Sequence, residues 1–279
     1  MKLIGLEVKH IQFGSGIIEK YDGKYIDVRF YEKKVIKKFM FPNAFTKFLS
    51  TSDSSIELEL DKKNKEKIIY TRGINHLVHF TNIKNLHSIL TYGLIPVSEQ
   101  SSSNIESFHN DLDRLDQRLN CTSLSIDFPN YKVFYKKRME NQRERWVVVA
   151  IDINILFSNK NTAYFCCTNA ASGSITCIDE NLCTANAFEK MFADRVEDRY
   201  GDTVDRKLLN LSNNFTTNPQ AEVLISNTIS TEFIKGVYFD NNEDIESYKC
   251  LYGEENLKQY QYEINHDLFT YRNDYKFWR

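Results

Sequence analysis

Over residues 1 to about 50, apolar positions alternate with polar ones in short runs, the period of half-buried strands. Val8-Lys9-His10 leads into Phe13-Gly14-Ser15-Gly16 and then Ile17-Ile18. Ile26-Asp27-Val28-Arg29-Phe30 alternates cleanly, and Asp22-Gly23 ahead of it supplies the positive-φ residue of a tight hairpin. A third strand is expected over Lys37 to Phe41, stopped by Pro42, with Ala44 to Leu49 closing the unit. So few residues bury a core only by curling their strands into a small all-β barrel, expected over 1–52.

The pattern then breaks. Thr51-Ser52-Asp53-Ser54-Ser55 is polar, and the charged stretch from Glu57 through Lys67 reads as a solvated connecting element over 53–68. A larger α+β domain is expected over 69–245. Leu77-Val78-His79-Phe80 is a short apolar strand, followed by Ile83, Leu86, Ile89 and Leu90 at helical spacing and a stop at Gly93. Further strands are predicted at Cys121–Ile126, Trp146–Ile151, Ala221–Ile225 and Ile234–Phe239, with a helix around Ala185–Arg195. The aromatic and charged segment 246–279 is expected to be a helical extension.

Composition narrows the class. Hydrophobic residues make up 42% of the 279, enough for a folded core. Net charge is −2, so any polyanion would be met by a local patch rather than a uniform basic field. No apolar run approaches the roughly 18 residues of a membrane span, and no signal peptide is visible, so a cytoplasmic protein is expected. The six cysteines lack CxxC pairs and regular spacing, which fits reduced thiols. Cys166, Cys167, Cys177 and Cys183 could be imagined as a zinc site, but adjacent cysteines rarely both ligate one ion, and no metal is expected.

Three places carry candidate chemistry. His79 and Thr81 stand where a strand gives way to a helix, and both can hydrogen-bond a sugar or amide beside a helix N-terminus that favours phosphate; on chemistry alone a strand histidine is more often a satisfied core residue. Gln220 and Glu222 precede the apolar run Val223-Leu224-Ile225. With strand alternation Gln220, Glu222 and Leu224 share a face, and an inward carboxylate must be paired, hydrogen-bonded or functional. The alternative is an edge strand with Glu222 in solvent. Lys136, Lys137 and Arg138 interleave with Tyr131, Phe134 and Tyr135, a pattern that suits single-stranded nucleic acid and equally an ordinary solvated face.

Two resemblances change the weighting. Val8, His10, Phe13-Gly14-Ser15-Gly16, Val28-Arg29-Phe30, Lys38-Phe39 and Phe41-Pro42-Asn43-Ala44-Phe45 resemble the Tudor-like, SH3-like barrel of UvrD/PcrA-type helicases, which implies a docking module without catalytic groups. Leu77 to Thr81 with Asn85-Leu86, Ile89-Leu90 and Gly93-Leu94 resembles the opening signature of DarT-type NAD⁺-dependent nucleic-acid ADP-ribosyltransferase toxins. Leu124-Ser125-Ile126 with Phe128-Pro129-Asn130, then Thr168-Asn169-Ala170, then Gln220 to Ile225 resemble later segments of that family, in family order.

The second resemblance implies an ADP-ribosyltransferase fold, a split sheet with NAD⁺ in its cleft. Glu222 would be the catalytic carboxylate. His79, Thr81, Asn85 and Gln220 would bind the dinucleotide, and Arg114, chosen over Arg118, would neutralise its diphosphate. Tyr131, Phe134, Lys136, Lys137 and Arg138 would meet the substrate, single-stranded DNA or RNA, and an antitoxin protein would be a partner. A protein side chain is the alternative acceptor, and an inactive nucleic-acid binder the third reading.

Overall fold

The N-terminal alternation becomes an all-antiparallel sheet. Its strands are β1 (Glu7–His10), β2 (Gly14–Tyr21), β3 (Tyr25–Phe30), β4 (Val35–Met40) and β5 (Leu49–Ser50), in the order β4-β3-β2-β1-β5, with helix α1 (Ala44–Lys47) before β5. The third strand thus starts two residues earlier than the sequence suggested, because Val35 to Met40 pairs in register with Phe30 to Tyr25. Val8, Ile18, Ile26, Val28, Phe30 and Leu49 form the core on one side of this curled sheet.

The computed structural model describes residues 2–100, 118–170, 180–198 and 200–278. It divides into two compact units, Met1–Thr71 and Arg72–Arg279. The stretch read as a connecting element is helix α2 (Ser54–Arg72). Its start is capped by the Asp53 carboxylate, which accepts from the N–H groups of Ser55 and Ile56 at 3.1 and 3.2 Å.

The second unit is built on a seven-stranded sheet. Its elements in chain order begin with β6 (His76–Asn82), α3 (Ile83–Tyr92), α4 (Val97–Gln100), β7 (Cys121–Ile126), α5 (Tyr131–Glu140), β8 (Trp146–Asp152) and β9 (Ala163–Cys166). They continue with α6 (Ala185–Lys190), β10 (Arg195–Glu197), β11 (Thr203–Asp205), β12 (Glu222–Ser226), β13 (Ile234–Phe239), α7 (Asn242–Tyr252), α8 (Glu255–Lys258) and β14 (Gln261–Ile264). The sheet order is β14-β13-β8-β6-β7-β12-β9, while β10 and β11 form a separate hairpin. Strand β8 is buried along nearly all its length, as its unbroken Trp-Val-Val-Val-Ala-Ile run requires in a sheet covered on both faces.

Two expectations change. The helix around 185–195 ends at Lys190, because Arg195–Glu197 turns back and pairs with Thr203–Asp205. The C-terminal segment is not wholly helical, since β14 adds a parallel strand to β13. Gly236 permits that approach: a Cβ there would lie 2.5 Å from the Gln261 carbonyl oxygen. Gly93 does end α3 as expected. It has φ +88°, and a Cβ there would collide with the Ile229 carbonyl where Leu94 bridges to Ile229.

Candidate active site

The seven-stranded sheet has a weak seam. Strands β6 and β8 pair over seven positions, whereas β6 and β7 pair only at Leu77–Ile126 and Val78–Ser125. His79 is the next residue, where the two strands part. Its Nδ1 lies 3.0 Å from the Ser123 carbonyl of β7. A carbonyl only accepts, so Nδ1 carries the proton and a neutral ring has its lone pair on Nε2. Two residues on, buried Thr81 accepts from Asn85 Nδ2 at 2.9 Å, tying the strand end to the first turn of α3. Asn82 caps that helix by accepting from the Lys84 N–H. The histidine, the threonine and the asparagine thus form one connected strand-to-helix corner.

Glu222 stands on the other side of β7. It opens β12, which is flanked by β7 and β9, with Glu222 in register with Cys166. The edge-strand alternative is therefore overturned: β12 is interior and its next four residues are buried. The half-buried carboxylate accepts from the Ala170 backbone N–H at 2.9 Å through Oε2. The middle motif Thr168-Asn169-Ala170 and the glutamate strand thereby meet. Gln220 lies on the turn before β12 rather than on the strand, so it does not share a pleat face with Glu222. That turn is held by Asn218, whose Oδ1 accepts from the Gln220 N–H at 2.8 Å and whose carbonyl accepts from the Ala221 N–H at 3.1 Å.

The approach to this turn is fixed from the C-terminal end of the chain. Buried Arg272 donates to the Thr216 and Thr217 carbonyls at 2.9 and 3.1 Å and pairs with fully buried Asp274. Arg272 Nε donates to Asp274 Oδ1 at 2.7 Å, and the Trp278 indole N–H donates to Oδ2 at 2.7 Å. Arg206 adds bonds to the Phe215 carbonyl and the Thr217 hydroxyl, at 2.7 and 3.1 Å. Nothing in the periodicity of 158–219 signals this long-range strap.

Arg114 lies outside the described residues. Arg118, the residue passed over, is buried, and its Nη1 lies 3.7 Å from Cys166 Sγ. Burial pushes the Cys166 thiol up to about 11; the Arg118 cation opposes that shift and Glu222 adds to it. Arg118 and the candidate catalytic carboxylate therefore both bear on the Cys166 thiol, the register partner of Glu222.

The expected substrate stripe is corrected. Tyr131 and Phe134 are in the core, Phe134 stacking on Phe80 at 4.6 Å, so neither ring offers a face to a base. Helical spacing on α5 turned these aromatics inward. Arg138 bonds the Phe269 carbonyl and pairs with Asp240. Lys136 is exposed beside Glu140, 3.7 Å away, and Lys137 is half-buried. Among the described residues no group of three or more His, Cys, Asp or Glu is gathered for a metal, and no helix is long and apolar enough to cross a membrane.

The family model for DarT, described as ssDNA thymidine ADP-ribosyltransferase, matches residues 78–270, well over half of the chain. The chain belongs to the DarT family. Its fold is the ADP-ribosyltransferase fold, and its enzymatic class is ADP-ribosyl transfer. The DarT match contains His79, Ala170 and Glu222 and stops short of Arg272, Asp274 and Trp278.

Solved DarT structures resemble the chain at low identity. Thermosipho africanus DarTG in complex with ADP-ribose has a TM-score of 0.45 and 15% identity over 71% of this chain and 52% of that one. Thermus sp. 2.9 DarT in complex with ADP-ribosylated ssDNA gives 0.47 and 11%, over 71% and 97%. The same Thermus protein with NAD⁺ gives 0.44 and 11%, over 70% and 98%. The chain thus spans about half the length of the Thermosipho chain it matches. Among curated proteins none matches the chain by sequence.

Proposed function

We propose that this chain transfers ADP-ribose from NAD⁺ to thymidine in single-stranded DNA, with Glu222 as the catalytic carboxylate. The observation that carries the reading is the anchoring of Glu222: the Ala170 N–H orients one carboxylate oxygen at the head of a buried strand, one strand away from His79. The family description supports DNA over RNA and over a protein acceptor.

In this reaction the bond between the ribose carbon and nicotinamide breaks, a bond to a base nitrogen forms, and that nitrogen loses its proton. Positive charge develops on the ribose carbon, as in glycoside cleavage. Glu222 supplies fixed negative charge beside it and takes the proton from the base. His79, Thr81 and Asn85 hold ribose hydroxyl or amide groups, and Gln220 binds from the turn before β12. Arg118 is the described arginine best suited to the diphosphate, because it shares the Cys166 neighbourhood with Glu222. By family analogy the protein is a toxin of a defence system, in the cytoplasm, with an antitoxin as its protein partner.

Labelled NAD⁺ offered with thymidine-containing single-stranded DNA, the same oligonucleotide with every thymidine replaced by cytidine, RNA, and cell protein tests the proposal. Label should enter only the thymidine-containing DNA. Preferential labelling of RNA or protein would replace it with the corresponding alternative.

A further inference from the structure

On α5 the core takes up Tyr131 and Phe134, and Asp240 engages Arg138, so the expected stripe keeps few free groups for a polyanion. Charge is unevenly divided. Residues 1–71 carry 14 Lys and Arg against 10 Asp and Glu, while residues 72–279 carry 22 against 28. The unit holding Glu222 therefore has a net charge of −6, and the N-terminal unit one of +4. A negatively charged enzyme repels a polyanionic substrate unless a local surface offsets it.

Such a surface lies along β4 and the turns at either end of β3, with Lys37 and Lys38 on opposite faces of β4 by strand alternation. Lys24, Lys33, Lys34, Lys37 and Lys38 are all exposed, and β4 is the edge strand of its sheet. Asp27 and Glu32 are the acids in residues 24–40, and the nearest approach of Lys38 to Asp27 is a loose 3.9 Å. Arg29, by contrast, is engaged by Glu19.

The lysines are arranged around half-buried rings. The Lys33 and Lys37 ammonium groups each lie 5.5 Å from the centre of Phe13. Lys24 and Lys38 lie 5.4 and 5.8 Å from the centre of Tyr25. Tyr31, Ile36 and Met40 add exposed apolar surface, at 47%, 50% and 44%. Cations for phosphates beside rings and apolar surface for bases are the composition that a single strand needs. Folded duplex recognition would instead call for an element able to enter a groove.

We propose that the N-terminal unit is a single-stranded DNA binding module, gripping the strand along Lys24, Lys33, Lys34, Lys37 and Lys38, and that it adds electrostatic affinity to that of the transferase unit. The proposal rests on DNA being the acceptor. It assigns the module no catalytic group: the module raises the local concentration of substrate.

The test uses the full chain and a fluorescein-labelled oligothymidine, read by anisotropy across a salt series, beside transfer kinetics on the same oligonucleotide. Two charge-reversal variants, Lys33→Glu with Lys37→Glu and Lys24→Glu with Lys38→Glu, alter only exposed side chains; circular dichroism checks that each folds. Each pair should weaken binding at least tenfold and flatten the salt dependence by about 0.7 in log–log slope for every phosphate no longer neutralised. The KM for DNA should rise while kcat and the affinity for NAD⁺ hold. Unchanged DNA affinity and salt slope in both variants would overturn the proposal, even with DNA confirmed as acceptor. If the unaltered protein bound oligothymidine through these lysines yet modified RNA or protein, the acceptor assignment would fall and the DNA surface would stand.

Discussion

The Ala170 backbone N–H donates to Glu222 Oε2 at 2.9 Å, joining the segment after β9 to the first residue of β12. A main-chain donor serves a glutamate and a glutamine alike, since both present a side-chain oxygen. Glu222→Gln should therefore fold normally and keep NAD⁺ affinity while losing roughly three or more orders of magnitude in transfer, because an amide cannot stabilise the developing cation. Single-turnover transfer beside calorimetric NAD⁺ binding checks this, and near-normal transfer would remove Glu222 from the chemistry.

His79→Ala addresses the other side of β7. Its Nδ1–H is engaged by Ser123, which fixes the ring, and the loss should appear chiefly in NAD⁺ affinity, by about 1–3 kcal/mol for a polar group left unsatisfied. Calorimetry giving wild-type affinity would make His79 a strand residue only.

The Arg272–Asp274 pair predicts two separable effects. Asp274→Asn leaves a buried guanidinium without its carboxylate and should cost about 3–5 kcal/mol in denaturant unfolding. Arg272→Lys keeps the charge but cannot fork to both the Thr216 and Thr217 carbonyls. In that variant kcat should fall several-fold with the KM for NAD⁺ little changed, since the segment leading to Glu222 loosens. A drop in stability with kcat unaltered would make the pair purely structural.

Thiol chemistry should sort by burial. Exposed Cys167 and Cys250 should alkylate readily at pH 8, whereas Cys121 and Cys166 are buried and should resist until the protein unfolds. With the Cys166 thiol raised from 9.0 to about 11, its contribution to stability is complete below pH 9 and declines as pH rises toward 11, where the unfolded chain ionises first. Peptide mapping after brief alkylation reads the first claim, and unfolding between pH 8 and 11 reads the second. Rapid modification of Cys166 in the folded protein would contradict both.

Legibility followed the reach of the forces involved. Cys121–Ile126, Ile234–Phe239 and the helix stopped by Gly93 were readable because a pure period and a local stop signal set them. Strand β9, only four residues long, carries too little pattern to announce itself. On α5, Tyr131 and Phe134 have the spacing of a buried face, and interleaved cations disguised it. His79 and Glu222 were candidates by residue type and position, and family resemblance gave them their roles; the sheet order that brings them to either side of β7 is a long-range property. The Arg272 strap was invisible for the same reason, since its partners lie more than fifty residues upstream.

That strap also orders events in time. During synthesis Glu222 leaves the ribosome well before Arg272, Asp274 and Trp278, so the nascent chain contains its acid long before it contains the clamp that steadies the preceding segment. Full transfer activity should therefore switch on only once residues 272–278 have emerged.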